Sequence, residues 1–559
     1  MSKKLLPFIL FILFFQITKA QNEFITVWKP GLAPSPPSIG IPYSSNENQI
    51  WFPGKGTNYT IYWEEIGYPS HHSTIQNINS DYNILIDFGA PLNPISSEAT
   101  YRVQVSGENG FFNQIQFNNH QIINGNQPIG IVGDHYKILK IEQWGNIKWS
   151  SMERAFNNCE SLDVTATDIP DLSIVTDLSN MFSNCKNLVA NPTINNWNIS
   201  NITNLTGTFS GCDLFNQPLE NWNTSNVTSM ATTFLMAKNF NQPLGNWNTS
   251  KVVTTGSMFF NASQFNQPIG NWDMSSNLEM ELMFQNAVKF NQPLGNWNTS
   301  KVIEMNFMFG NAKAFNQNLN SWDTGQVKMM NQMFFLAEQF NGNISNWNVS
   351  NVINMAYMFN GATNFNQNIG GWNVGNVTNM LNMFNNATSF DQNLGNWRLN
   401  SLQQANNIFT NTALSCQNYD NTLYGWSLNQ SIPNNINISP LTPLVFSHPG
   451  AVTARAYLIS YKGWTITGDT YNGNCVSKLG TSEVKLENHL ELYPNPATDI
   501  IYIKNIRAEH YTILDLAGRV IVQGVPNDKQ INIQNLVPGN YLLQLYVKDS
   551  IQNFKFIKK

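Results

Sequence analysis

Apolar positions keep one period through the middle of this chain. Trp197, Trp222, Trp247, Trp272, Trp297, Trp322, Trp347, Trp372 and Trp397 follow one another every 25 residues without a slip. Twelve residues after each stands a phenylalanine, from Phe209 and Phe234 to Phe409. Seven residues before all but the first stands another, from Phe215 to Phe390, and Leu or Ile lies three before, as at Leu244 and Ile269. Asn, Gln, Gly, Ser and Thr fill the space between. FNQPLGNWNTSKV is written twice without change, at 240–252 and 290–302. A fixed period of this size signals stacked structural repeats. FNQPLGNW carries Phe, Leu and Trp between turn-forming residues, which predicts an extended half. In VTNMLNMFNNA, Val377, Met380, Met383, Phe384 and Ala387 are spaced by three, three, one and three, which predicts one face of a short helix. The pattern therefore predicts a repeat solenoid with one short strand and one short helix per coil. Phe should stack on Phe and Trp on Trp, with neighbouring strands about 4.8 Å apart. No coil can cover its own apolar face, so stability must come from neighbours.

The period fades at both ends. Upstream, SSMERAFNNCESL and LSNMFSNCKNL read as two degenerate units, so the solenoid is expected over 145–414 with about eleven coils. Ser415 to Asp469 loses the period but keeps Trp426, which predicts a C-terminal cap over 415–470. Residues 22–140 hold short alternating runs such as YTIYW and YRVQV, the pattern of a small β-sandwich. This segment vaguely resembles the PKD-type immunoglobulin-like fold, although Glu64-Glu65-Ile66-Gly67 stands where that fold usually has a Gly-Asp-Gly-like turn. A polar linker is expected over 471–487. Alternating runs separated by Gly and Pro then predict a second small β-sandwich over 488–559.

Composition narrows the function. Charged residues are only 12% of the chain and the net charge is -5, so there is no basic footprint and nucleic-acid binding is not expected. Lys3 and Lys4 precede the apolar run LLPFILFILFFQI, and Thr18-Lys19-Ala20 offers small residues for cleavage. This predicts a signal peptide over 1–20, because the run is shorter than the about 20 residues a bilayer span needs. No transmembrane segment is expected in the mature chain.

The pattern FNQPLGNWNTSNV with MFxxAxxF resembles the 25-residue repeat of BspA-like bacterial surface proteins, relatives of the leucine-rich repeats. The resemblance implies a leucine-rich-repeat-like solenoid on a secreted or surface-displayed protein, with binding or adhesion roles and no catalytic residues. The C-terminal segment resembles the sorting domain of type IX secretion cargo. The matching residues are Tyr493, Pro494, Asn495, Pro496 and Asp499, then Asp515, Gly518 and Arg519, then Pro538, Gly539 and Tyr541. That resemblance implies the type IX secretion machinery as a partner, export across an outer membrane, removal of the domain, and surface attachment or release.

Candidate chemistry is sparse. The seven histidines all lie outside the 25-residue units, and no HExxH, GxSxG, P-loop or paired CxxC pattern occurs. No catalytic, cofactor-binding or metal-binding residues are expected, and no cofactor. His71-His72 reads as an exposed loop. Glu279 and Glu281 are the one carboxylate pair a glycosidase could use, but they occur in a single unit and read as a solvated helix start. Cys159, Cys185 and Cys212 each follow a Phe by three, where later units have Ala, and read as buried packing. Cys416 and Cys475 flank the cap and form a candidate disulfide. The Asn-x-Ser/Thr sites, such as Asn248 and Asn298, are by-products of the repeat. The expected function is a binding or adhesion module at the cell surface for an extracellular protein or glycan, and not an enzyme. The alternative is a structural spacer or surface-layer component without a specific ligand. A glycan-active enzyme is the remaining reading.

Overall fold

The computed structural model describes residues 22–37, 41–81, 83–107, 110–119, 130–131, 133–479, 491–504, 508–515, 518–547 and 550–559. The expected signal peptide and residues 480–487 of the expected linker lie outside these residues. The chain divides into two compact units, Met1–Ile202 and Thr203–Lys559.

The first unit is built on a seven-stranded sheet. Its order is Asp163–Val164, Ile138–Gln143, Phe24–Trp28, Tyr101–Ser106, Gly54–Glu65 and Tyr68–Ser80, with Phe111–Ile115 pairing to Gly54–Glu65. Gln49–Phe52 and Ile84–Asp87 form a separate two-stranded sheet. Alternation does place the core here. Tyr59, Ile61 and Trp63 are buried on one side of their strand, as are Tyr101, Val103 and Val105. Phe24, Phe112, Trp144 and Trp149 pack ring on ring, with Phe24 and Trp149 5.1 Å apart. A buried polar cluster fastens the irregular segment before Gln49. Asp134 accepts from Ser35 N, Ser45 Oγ and Trp51 N, while Lys137 Nζ donates to Ser45 Oγ and to the carbonyls of Asn46 and Gln49. Burial pulls the Lys137 ammonium down to about 8, against the pull of Asp134.

The expected fold class, a leucine-rich-repeat-like solenoid of strand plus short helix between two small β-sandwiches, is overturned. Among the described residues the repeats contain no α-helix. The two α-helices among the described residues, α1 (Cys416–Ser427) and α2 (Pro449–Ser460), both follow the periodic region. The protein is mainly strands in several sheets. The first of them is a mixed seven-stranded sheet, with one parallel pair at Ile138–Gln143 and Asp163–Val164.

The second half of each 25-residue unit is a run of tight turns, and backbone angles give the reason. Two residues in every unit are left-handed, four positions apart: Ser257 and Asn261, Leu282 and Asn286, Phe307 and Asn311, Asn382 and Asn386, all with φ between 54° and 61°. A helix needs negative φ at every residue and bonds four residues back. Here the amides alternate instead. Thr233, Leu235 and Ala237 donate three residues back, to Met230, Thr232 and Phe234. Met230, Thr232, Phe234 and Met236 donate to the next unit, at Thr254, Gly256, Met258 and Phe260. Each unit contributes only a single residue to a parallel bridge, in the series Asn204, Ser229, Thr254, Glu279, Glu304, Met329, Asn354, Asn379 and Gln404. The FNQPLGNW half contains no strand among the described residues.

The apolar residues stack at the 25-residue step. Phe234 and Phe259 lie 5.7 Å apart, Phe240 and Phe265 6.1 Å, and Trp222 and Trp247 6.2 Å with planes 3° apart. These rings are buried, at about 1.5–3 kcal/mol per large side chain. The series closes on α1, where Trp426 stacks 6.0 Å from Phe409 and donates its Nε1 to Leu394 O.

The C-terminal segment pairs Glu491–Tyr493, Ile500–Lys504 and Gln530–Asn532 in one sheet. Val520–Gly524, His510–Leu514, Gly539–Val547 and Ser550–Lys558 form a second. Ile501, Ile503, Ile513, Leu543, Leu545 and Phe556 fill the core they share.

Candidate functional site

The repeated residues are consumed by the stack itself. Each Trp indole donates to a carbonyl of the preceding unit: Trp247 to Leu219, Trp272 to Leu244, Trp297 to Ile269, Trp322 to Leu294, all at 2.9–3.0 Å. The Asn after the first Phe of each unit forms a second ladder. Asn216 Oδ1 accepts the amide of Asn241 at 2.9 Å, and the same bond repeats from Asn241 to Asn266, Asn266 to Asn291 and Asn291 to Asn316. The next Gln donates its Nε2 to the same oxygen, as Gln267 does to Asn241 and Gln317 to Asn291. The ladder ends where an acid replaces the amide. Asp391 Oδ1 accepts Ser415 N, Ser415 Oγ and Asn418 Nδ2 at the start of α1. A carboxylate suits that place, because it neutralises the positive end of the helix.

Some of the residues that vary between units line the turns in a row. Six positions after each Trp the chain reads Thr203, Thr228, Val253, Leu278, Ile303, Lys328, Ile353, Thr378 and Gln403. Their backbones form one continuous ladder, with Val253 N donating to Thr228 O and Ile303 N to Leu278 O. Three of these side chains are large, apolar and open to solvent: Val253 at 40%, Ile303 at 37% and Ile353 at 45%. The next position holds the bridge residues, among which Glu279 and Glu304 are direct partners. Phe260, Leu282, Phe307, Phe335 and Tyr357 add half-buried apolar groups further along the turns.

Glu279 and Glu281 are not a helix start. Glu279 is exposed on the bridge, and Glu281 is half-buried, lying over Gly256 of the preceding unit. A Cβ at Gly256 would meet Glu281 Oε1 at 2.6 Å, so this glycine makes room for the acid. Burial pushes the Glu281 carboxyl above its ordinary range, and Glu279 and Glu304 push it further. Four acceptor oxygens in this region have no hydrogen-bond donor: Glu281 Oε2, Gln285 Oε1, Asn306 Oδ1 and Asn331 Oδ1. The sequence reading missed Glu304 and the apolar row. Both were legible once the units were aligned and each column read downward.

One buried anomaly lies in the same units. Asn277 takes the core position that Val fills in most units, and Thr255 one that Met fills. The two side chains meet at 3.3 Å between adjacent units. Both are fully buried, and the Asn277 carbonyl oxygen has no partner.

Cys416 and Cys475 are brought together across the cap, with Cα atoms 6.6 Å apart. Cys159, Cys185 and Cys212 are buried, and burial pushes the Cys159 thiol well above its ordinary range. His71 and His72 belong to strand Tyr68–Ser80 and not to a loop. His71 Nδ1 lies 2.6 Å from Glu65, while His72 packs 5.7 Å from Tyr62. Neighbours on a strand point to opposite faces, so the pair cannot share an ion.

The sorting-motif residues hold turns and strand ends. Tyr493 stacks on Tyr502 at 5.3 Å. Both prolines, Pro494 and Pro496, follow cis peptide bonds. Asn495 clamps the last strand, donating Nδ2 to Lys555 O at 3.0 Å and accepting Ile557 N at 2.9 Å. Asp499 accepts Ile533 N through its carbonyl at 2.8 Å. Gly518 takes φ 79° in a turn where Asp515 accepts both the amide and Nε of Arg519. Gly539 opens its strand, and Tyr541 donates its hydroxyl to Val537 O at 2.8 Å.

Comparison with known proteins separates the two regions. The family model described as a Mycoplasma protein of unknown function, DUF285, matches three overlapping stretches of the repeats, 150–267, 243–335 and 318–422. The model for a secretion system C-terminal sorting domain matches residues 491–559. The search of curated proteins finds no match. No helix among the described residues is long and apolar enough to cross a membrane. The chain is therefore a secreted or cell-surface repeat protein carrying a C-terminal sorting domain of the type IX secretion system.

Proposed function

We propose that the repeats are an extracellular binding module of the BspA-like kind, taking a protein or glycan ligand in an adhesion role. One observation carries this reading. The invariant residues are used internally, in ring stacks and ladders, while a row of varying ones on the turns presents apolar and acidic side chains to solvent. A surface that differs from unit to unit on a constant scaffold is what selective recognition needs. No catalytic role is proposed for Glu279 and Glu281, which stand in a row of bridge and turn residues. The experiment is binding of the purified full chain to protein and glycan arrays. Retention of specific ligands, lost when Ile303 or Phe307 is replaced by Ser, supports the reading. An absence of any retained ligand, or polysaccharide turnover that falls with Glu281→Gln, overturns it.

A structural spacer is the second reading. The unbroken ladders from Asn216 to Asp391 favour it, since they stiffen the array whatever it binds. Ligand retention mapping wholly to residues 22–140 would favour the spacer.

A further inference from the structure

Two ion pairs on the repeats link neighbouring units. Lys238 meets Asp213 at 2.9 Å, and Lys313 meets Glu338 at 2.9 Å, each pair one 25-residue step apart. The turn face breaks that habit. Glu279 and Glu304 stand opposite each other on the parallel bridge, with Glu281 close enough to feel both. Among the described residues no ion pair reaches any of the three, unlike Asp213 and Glu338. Like charges placed opposite each other on paired backbones destabilise the pair, so this arrangement works against the stack. Beside the acids runs the apolar row of Val253, Leu278 and Ile303, which Lys328 interrupts before Ile353.

We infer that this face docks a cationic protein segment, one that carries Lys or Arg beside apolar side chains. The inference rests on the binding role proposed above and names its ligand. Charge complementarity selects this occupant. An ammonium or guanidinium group is a donor only, so against the exposed Glu279 and Glu304 it donates hydrogen bonds and cancels carboxylate charge in one contact. The hydroxyls of a neutral glycan would leave three carboxylates uncompensated. The apolar row supplies the burial that a charge contact in water lacks. Because Glu279 and Glu304 are exposed, association should be steered by charge and weaken with salt.

The test uses the full chain and three sets of decapeptides with equal apolar content, their polar positions filled by Lys, Gln or Glu. Neutral oligosaccharides form a fourth set. Binding is read by fluorescence anisotropy at low and high salt. The Lys set is expected to bind at least about tenfold more tightly than the Gln set. The variant Glu279→Gln, Glu281→Gln, Glu304→Gln is expected to lose about tenfold, with the loss shrinking at high salt. Its melting temperature should be unchanged or higher, since repulsion is removed, so lost binding cannot be lost folding. Asp213→Asn, at a paired carboxylate elsewhere on the stack, should change nothing. Equal binding of the Lys and Gln sets, or an unaffected triple variant, overturns the cationic partner. Oligosaccharide binding that survives in the triple variant but is lost in Ile303→Ser overturns it too, while leaving the binding role standing.

Discussion

At the scale of single residues, the exception to the repeat tells more than the rule. Asn286, Asn311 and Asn386 recur because the chain turns left-handed there, and Asn tolerates that region better than most side chains. Leu282, Phe307 and Tyr357 are left-handed without that tolerance, so the ladder bonds around them must hold the strain. Glu281 is strained electrostatically. Its carboxyl is raised by burial, then by Glu279 and Glu304, so the folded protein holds that proton more tightly than the unfolded chain. The sign follows: the ionised acid works against folding, and the penalty appears as pH rises through the raised value. Glu281→Gln should therefore stabilise the protein at neutral pH by a few tenths of a kcal/mol. The gain should vanish below about pH 4, where the carboxyl is protonated in both states. Thermal melts of the two proteins at both pH values check this; equal melting temperatures at neutral pH would contradict it.

At the scale of the element, the unit is defined by bonds to its neighbours. Asn291 Oδ1 accepts the amide of Asn316 and the side chain of Gln317. Asn291→Ala leaves both donors without that acceptor in a partly buried place, which should cost about 1–3 kcal/mol. Because stacked repeats behave as a chain of nearest neighbours, the loss should be local. Hydrogen exchange should quicken in the units around 291 and 316 and stay unchanged near 216 and 391. A uniform change along the array would argue against independent units. This scale also shows why the helix expectation failed. Val377, Met380, Met383, Phe384 and Ala387 do face one way, as the spacing requires. A succession of tight turns with a left-handed residue every few positions produces the same facing. Period alone could not separate the two. The discriminating signal was the Asn or Gly fourteen residues after most Trp, at Gly211, Asn261, Asn286, Asn311, Gly361, Asn386 and Asn411.

At the scale of the whole molecule, the chain joins a sheet-built first unit, the turn-built repeats and a C-terminal sorting domain. The motif residues of that domain hold its own fold together, Asn495 across the last strand and Tyr541 on Val537. Intact-mass analysis of the exported protein should find a chain lacking the segment beyond about residue 490, together with the first twenty or so residues. A full-length C-terminus would remove the case for sorting by this domain.

Sequence by itself determined which side chains are buried in the repeats and which repeat with them. Trp, Phe and Leu at fixed steps of 25 have few places to go except a shared core. It also carried the sorting motif, whose spaced Pro, Asn, Gly and Tyr are tied to particular turns. Only the tertiary structure decided the backbone path between those anchors. Hydrogen bonds from one unit to the next outcompete the local bonds a helix would make. Each unit is short, and its helix would have been stable only through neighbours that offered something better. The column that holds Glu279 and Glu304 can be read from the aligned units, but only stacking makes the two acids bridge partners. Residues 25 apart in sequence become nearest neighbours once the units stack, and their charges then act on one another.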